Sequence, residues 1–516
     1  MITSTFGGFT TAQLALLANQ RAIDVAGQNL SNMNTVGYTR QRLDFASISP
    51  AGNGAANSPN DCKVGQGVEM TGVTQIRDPY LDIQYRNQLT KVGTADAMDS
   101  ILERVGDIFD ETDSEALRAA LNDVISQFQT MANPATASES TTDSMVRASF
   151  EVLLNMFHQK GSEISGLREE QEGELQKSLV PNLNEALKKI TELNKTIKNT
   201  QVLGNPALEL IDERNLLIDD LATYLPIEVN YKRDTNPGAI VDYLEISFKD
   251  SKGNKHLLVS DDEAANFACE KGADGKLSLK LSSNMEGKAP VTDLEITETL
   301  GDGVLKSKLD MLNKAEIFDG TNVKGIGYYE GIFNTFVSAL ATTMNSLNEK
   351  NGVKNDLFTT SDGSTEFTAE NIQISKEWMK GDVKITLTQD DTAGGTTPTT
   401  KYDNVLKIIE SLTSAKYDFK DATGKVVFKG SMQGIFDSIQ NTQAIERSSS
   451  NSILQNRTLV LNRLADSKDG ISAVSQDEEV MDLMRYQQSY NAASKLITTL
   501  DEMLDKLINQ TGVVGR

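Results

Sequence analysis

Two histidines, His158 and His256, and two cysteines, Cys62 and Cys269, are the side chains best suited by type to nucleophilic or metal chemistry. Their spacing points away from it. Neither histidine has a cysteine, a His-x-x-His partner or a serine elbow nearby, so each reads as a hydrogen-bonded or exposed side chain. A hydrolase resting on either is the weakest reading of the chain. The cysteines lie far apart without metal-ligand spacing, which implies free thiols and excludes a disulfide framework. Asp61, Asp261-Asp262 and Asp390-Asp391 could offer oxygen ligands to Ca²⁺, but no EF-hand pattern surrounds them. Glu478 and Glu479 are neighbours at a helix start, face different directions and complement the helix dipole, with Ser475 as the cap. Gly65-Gln66-Gly67 reads as a turn, and Trp378 as core. The chain is expected to carry no catalytic, cofactor-binding or metal-binding residues and to be no enzyme.

The elements that would position chemistry instead present two apolar seams. Phe9, Ala12, Leu16, Asn19, Ile23, Ala26, Leu30 and Met33 follow the three-four spacing of a coiled coil. Asn32, Asn34 and Gly37 supply turn chemistry around its end, and Tyr38 to Arg42 forms a polar, partly basic exit. At the other terminus Leu483, Tyr486, Tyr490, Ala493, Ile497, Leu500, Leu504 and Leu507 repeat the spacing. Burying a large apolar side chain gains roughly 1.5–3 kcal/mol, so leaving such a seam in water forfeits on the order of ten kcal/mol. Two readings follow: the terminal helices close one intramolecular bundle, or the pair is an assembly module. Asn19 fits either, since one polar seam residue sets register at some cost in stability.

The length of 516 residues suggests three or four domains. A net charge of −23 argues against nucleic acid and anionic membrane as partners, because both need a basic footprint. The start, Met1-Ile2-Thr3-Ser4, lacks a positive n-region, and Leu14 to Ala18 is too short an apolar run for a Sec signal or membrane span. The expected fold is mainly α with an inserted β domain (α+β), with the N- and C-helices paired as a coiled coil, a helical-bundle middle domain and a small outer β domain. The expected divisions are a terminal assembly domain of 1–35 with 476–516, an extended connector over 36–100, and a helical bundle from 101–225 with 301–350 and 404–475. Residues 226–300 form the β domain and 351–403 a loop-rich segment. Within these, Val68 to Arg77 suggests a strand, Asp78-Pro79 a helix start, and Ile101 to Met131 a further helix ended by Asn133-Pro134. A long helix from about Thr142 to Asn199 is interrupted at Pro181. Val383, Ile385 and Leu387 suggest a strand, Thr392 to Thr400 a loop tip, Asp421 to Gly424 a hairpin turn, and Asp469-Gly470 the break before the last helix.

Ala18 to Arg42, with Asn29, Asn32, Asn34, Gly37, Tyr38 and Arg40, resembles the N-terminal signature of bacterial flagellar rod, hook and hook-associated proteins. Glu478 to Ile497, followed by Asp501-Glu502-Met503-Leu504, resembles the matching C-terminal motif. Gly37 to Arg42, Gly72 to Arg86 and Asn205 to Leu217 resemble the hook–filament junction members of that family. The resemblance covers the first 225 or so residues and the last 45 well, and 226–470 weakly.

It implies an axial structural protein, exported through the flagellar type III apparatus without a cleaved signal, that polymerises as a ring at the distal end of the hook. The interface would use Leu16, Asn19, Ile23, Leu30, Met33, Leu483, Tyr486, Tyr490, Ile497, Leu500, Leu504 and Leu507. Implied partners are copies of itself, hook protein, hook-associated protein 3 and an export chaperone. The alternatives are a secreted coiled-coil adhesin presenting residues 226–299, or another flagellar axial protein of the hook or rod.

Overall fold

A computed structural model of the chain describes residues 5–48, 67–109, 111–133, 139–234, 241–273, 275–313, 324–389, 401–414, 416–420 and 426–510. Helix α1 (Thr5–Asn32) leaves through a turn into the antiparallel pair β1 (Gln41–Ser47) and β2 (Val68–Gln75). The chain then starts α2 (Pro79–Ile108), where the Asp78 carboxylate accepts the Tyr80 N–H and Pro79 sits in the first turn, whose N–H groups have no helical partner. Among its described residues the connector expected over 36–100 is turn and strand before Pro79 and helical after it. The single stretch expected from Ile101 to Met131 is the end of α2 and a separate α3 (Glu111–Met131).

Helices α4 (Glu139–Glu174) and α5 (Val180–Val202) run on through a π-helical turn at Leu175–Leu179, before α6 (Leu208–Tyr224). The interruption expected at Pro181 is thus a widened turn and not a break. Proline lacks an N–H and crowds the carbonyl four residues back, and the π turn just before it absorbs that mismatch. Two antiparallel sheets follow. One holds β3 (Ile227–Asp234), β4 (Val241–Lys249), β5 (Lys255–Ser260) and β6 (Glu263–Ala264) in that order; the other holds β7 (Asn266–Lys271), β8 (Leu277–Ser283) and β9 (Val291–Glu295). Their period-two residues Leu244, Ile246, Phe248, Leu277, Leu279 and Leu281 are all buried, as alternation requires for a half-buried sheet.

Helix returns in α7 (Val304–Asn313) and α8 (Ile326–Asn348), then come β10 (Phe358–Thr360), β11 (Ile372–Ile374) and the short α9 (Lys376–Lys380). No strand forms at Val383, Ile385 and Leu387. That segment is pinned by side chains instead: Asp143 accepts the Ile385 N–H at 3.0 Å and Asn348 accepts the Thr386 N–H at 2.6 Å. Helix α10 (Asp403–Thr413), the pair β12 (Tyr417–Lys420) and β13 (Val426–Gly430), α11 (Gly434–Ser472) and α12 (Gln476–Asp505) complete the described chain, with a π turn at Lys506–Gln510. Asp469-Gly470 does not break α11; the break is Ala473 to Ser475. Ser475 occupies the cap position of α12 without a side-chain capping bond. Asp61, Cys62, Gly65, Gln66, Pro134, Asp390, Asp391, the 392–400 tip and the 421–424 turn lie outside the described residues.

One apolar core joins α2 through α11, with Phe128, Phe150, Phe157, Phe333, Phe336 and Trp378 at its centre. Edge-to-face contacts such as Phe157 on Phe333, with ring centres 5.7 Å apart, add to area burial. Trp378 donates to Asp143 at 3.2 Å. His158 bonds the Ile372 carbonyl at 2.7 Å, and His256 stacks on Phe248 and meets Asp250 at 3.2 Å. No residue of α1, β1, β2 or α12 belongs to that core. Among the described residues these elements bury their own small apolar set, Ala12, Ala18, Ala22, Ala26, Leu43 and Ala493, with the polar Asn29, Gln41 and Glu479.

Candidate functional site: a polar joint between two units

Helices α1 and α12 lie against each other in opposite directions. Asn29 meets Glu479 at one end, and at the other the Cα of Gly8 faces Leu500, whose Cδ1 would lie 3.6 Å from an added Cβ. In that register Ala22 falls opposite Tyr486 and Ala18 opposite Tyr490, small against large. On α12, Leu483, Tyr486, Tyr490, Ile497, Leu500 and Leu504 are all half-buried on this face, while Leu507 is 51% exposed in the π turn. On α1, Leu16, Ile23 and Leu30 are half-buried and flank the buried alanines. Met33, expected in the seam, is 38% exposed because the helix ends before it. Asn19 donates to the Ala15 carbonyl of its own helix at 2.7 Å, so its amide is satisfied without crossing to α12.

Beyond α1 the motif residues close on one point. Asn29, 1% exposed, donates to the Gln41 carbonyl at 2.9 Å and to Glu479 at 3.2 Å, and accepts from the Tyr38 hydroxyl and the Gln41 N–H, both at 3.0 Å. Burial raises the Tyr38 phenol, helped by the nearby Glu209, Asp212 and Glu479 carboxylates, so it stays a donor. Arg40 reaches three carboxylates of the first turns of α12: Nε to Glu479 at 2.7 Å, Nη1 to Glu478 at 2.5 Å and Nη2 to Asp482 at 3.7 Å. Its N–H donates to the Ser472 carbonyl at 2.8 Å, satisfying an end of α11. Arg40 therefore straddles the break between α11 and α12. Gly37 takes φ of 78°, and a Cβ there would lie 2.5 Å from Leu216, so both conformation and space call for glycine. Asn32 folds its side chain back to the Gln28 carbonyl at 3.0 Å, and Asn34 is exposed on the rim of the joint.

The other half comes from α2, α6 and α11. Asp212 accepts both the Thr39 N–H at 2.9 Å and the Thr39 hydroxyl at 2.6 Å. Burial pushes its carboxyl up, against the Thr39 bonds and Arg77, which favour the charged form. Arg77 pairs with Asp82 at 3.2 Å and approaches Asp212 at 3.6 Å. Deeper in, Arg86 and Lys468 share Asp219 at 2.6 and 2.9 Å, and Lys468 lies 4.6 Å from the Tyr85 ring centre. Gln41 reaches Glu209 at 3.1 Å and Gln75 the Leu208 carbonyl at 2.9 Å. Between these groups lies a cavity of about 350 Å³.

The stretches around Asn29–Arg42, Gln75–Arg86, Glu209–Asn215 and Glu478–Asp482 thus meet in space, although hundreds of residues separate them. What the arrangement can do is hold: its cations and carboxylates are spent on one another. Among the described residues no group of three or more His, Cys, Asp or Glu is placed to hold a metal, and no helix is long and apolar enough to cross a membrane. Sequence reasoning missed Thr39, Arg77, Asp82, Asp212, Asp219 and Lys468, which look like solvated polar and charged residues of helices and loops. The one available signal was that the quoted motifs include most of them.

Comparison with known proteins agrees with this grouping. The family described as "Flagellar hook-associated protein FlgK helical domain" matches residues 102–359, half of the chain. The flagellar basal body rod FlgEFG protein C-terminal family matches 470–510, and the flagella basal body rod protein family matches 9–39, the two segments that build the terminal pair. The chain is 27% identical over 545 residues to flagellar hook-associated protein 1 of Bacillus subtilis (strain 168), covering all of both chains. It is 23% identical to flagellar hook-associated protein 1 of Escherichia coli (strain K12), covering 96% of this chain and 98% of that one. The solved structure of the flagellar hook junction protein FlgK from Burkholderia pseudomallei is similar over 55% of this chain and 46% of that chain, at 16% identity and a TM-score of 0.41. With the helical-domain family matched across half its length, the chain belongs to the FlgK family of flagellar hook-associated proteins.

Proposed function

We propose that this chain is a structural subunit of the hook–filament junction of the bacterial flagellum, whose copies join into a ring through coiled-coil terminal helices. The observation that supports this is an apolar outer face on the α1–α12 pair. Val480, Met481, Met484, Leu496 and Met503 of α12 and Leu17 of α1 are exposed although the seam between the helices is covered. Large apolar side chains left in water on one helix pair are available for burial by a partner, and full burial of each gains roughly 1.5–3 kcal/mol.

On this reading 1–35 with 476–516 is the assembly domain, and the bundle (101–225, 301–350 and 404–475) with the β domain (226–300) and the 351–403 segment stands away from the axis. Partners are further copies, hook protein on one side, hook-associated protein 3 on the other, and an export chaperone that covers α12 before assembly. The subunit acts outside the cell, exported without a cleaved signal, and performs no catalysis. Electron microscopy of flagella labelled with an antibody to this protein tests the proposal. One band at the distal end of the hook supports it; uniform labelling of the cell surface overturns it in favour of an adhesin.

A further inference from the structure

We infer that α1, β1, β2 and α12 form one rigid unit that swings against the body about a two-strand hinge, latched by Thr39 on Asp212. The described chain passes between the unit and the body at two places, Ile76 to Asp78 and Ala473 to Ser475, neither of them helix or strand. Arg77 and Ala473 line the same cavity, so the two crossings lie side by side and define one axis. Two adjacent irregular segments joining two rigid pieces are the form hinges take.

The hydrogen bonds across the axis are of a kind that can be exchanged for water. They include the Thr39–Asp212 pair, Gln41 to Glu209, Gln75 to the Leu208 carbonyl and the Arg40 N–H to the Ser472 carbonyl, and Gly37 rests against the Leu216 side chain beside them. The apolar core of the body includes no residue of the terminal unit, so no shared core resists the swing. The cavity gives the loop before Thr39 room to travel.

Asp212 needs a donor in both positions, because a buried carboxylate left alone is costly. Arg77 supplies the second. Its Nη1 is buried without a hydrogen bond and stands 3.6 Å from Asp212, close enough to close up when Thr39 departs. The swing therefore exchanges one donor for another. The hinge rests on the geometry of a single chain, whatever the terminal unit packs against.

Distance measurement between nitroxide labels tests this in full-length protein carrying Cys62→Ser and Cys269→Ser. One pair spans the hinge, Gln20→Cys on α1 with Lys188→Cys on α5; a second lies within the body, Lys188→Cys with Lys407→Cys. The unaltered latch gives one narrow hinge-spanning distance, as does Thr39→Ser, which keeps the hydroxyl. Thr39→Val adds a second, longer or shorter, distance, and adding Arg77→Met lowers that second population by about fivefold because Asp212 then lacks the cation that takes over from Thr39. A hinge-spanning distribution unchanged by Thr39→Val overturns the latch. Equal broadening of the pair within the body overturns the hinge, since the change is then local unfolding.

Discussion

The side-chain amide of Asn29 pairs with the backbone of Gln41 as a neighbouring strand would, donating to its carbonyl at 2.9 Å and accepting its N–H at 3.0 Å. Gln41 pairs with Gln75 on its other side, so the end of α1 closes an edge of the β1–β2 ribbon that would otherwise stand open. Each end of the amide has a second partner, Glu479 for the nitrogen and Tyr38 for the oxygen. A residue here must donate and accept at once, which an uncharged amide does and a carboxylate cannot.

Asn29→Asp is therefore expected to be worse than Asn29→Ala, although it is closer in shape. The alanine removes bonds and costs about 2 kcal/mol; the aspartate also sets a second carboxylate beside buried Glu479 and costs about 3–4 kcal/mol at pH 7. Amide exchange of β1 residues at rising urea measures both. Equal loss of protection in the two variants would show that the charge is solvated and the pairing geometry is not what matters.

Arg40 is expected to depend on its fork as well as its charge. Glu479 is 2% exposed, and removing the partner of a buried ion costs about 3–5 kcal/mol, so Arg40→Ala should loosen the start of α12 by that order. Arg40→Lys keeps the charge and the backbone bond to Ser472 but cannot span Glu478, Glu479 and Asp482 together, and should cost about half as much. Adding Glu479→Gln to Arg40→Ala should restore part of the loss, because the stranded charge is gone. Additive losses in that double variant would mean the pair contributes nothing as a pair.

Heptad spacing alone locates the face of α12 that meets α1, because its large residues there, Tyr486, Tyr490, Ile497 and Leu500, carry the period. On α1 the same counting includes Ala12 and Ala26 of the buried line but gives Leu30 and Met33 in place of Ala18 and Ala22. Close approach of two helices selects small side chains opposite large ones, and pattern reading weighted by size passes over Ala18 and Ala22. The joint was invisible for a different reason. Thr39 with Asp212, and Lys468 with Asp219, are polar pairs joined across 173 and 249 residues, and polar residues on helix faces have no period that names a partner. The helix of the connector was legible at Asp78-Pro79, while the π turn was not, since it is the helix's response to Pro181 and not a residue preference.

Asp250 gives the β sheet a pH-dependent corner. Burial raises its carboxyl, but the Asn254 side chain and N–H, His256 and the Lys252 N–H outweigh that and bring it down to about 2. A depressed carboxylate contributes stability that is present above its unfolded value near 4 and is lost as pH falls through about 2. The destabilisation caused by Asp250→Asn should accordingly be full at pH 7, shrink below pH 4 and vanish near pH 2. Thermal melts of the two proteins across that range measure it. A difference that stays constant with pH would show that Asp250 acts by shape alone.

Cys269 should be a poor nucleophile. Burial, with Glu172 and Glu270 beside it, pushes its thiol up to about 11, and only the thiolate reacts. In a Cys62→Ser protein, iodoacetamide at pH 8 should label Cys269 about 100-fold more slowly than a free thiol. Glu172→Gln and Glu270→Gln together should speed labelling without unfolding. Labelling at the rate of a free thiol in the folded protein would place Cys269 in water.

The two faces of α12 separate pairing from assembly. Ile497 is half-buried toward α1, whereas Met484 is 52% exposed on the outer face. Ile497→Asp buries a charge in the seam and should open the terminal pair in the monomer, making α1 and α12 protease-sensitive while the body, whose core they do not share, still melts normally. Met484→Asp should leave the monomer's protease pattern unchanged, since that side chain stays in water, yet block incorporation into the hook tip, where a neighbour would have to bury the new charge. Filament growth scored in cells carrying each variant, beside proteolysis of the purified monomers, distinguishes the two effects. Normal filaments from Met484→Asp would remove the outer face from the assembly interface, and normal filaments from Ile497→Asp would show that pairing of the terminal helices is dispensable for the structure they build.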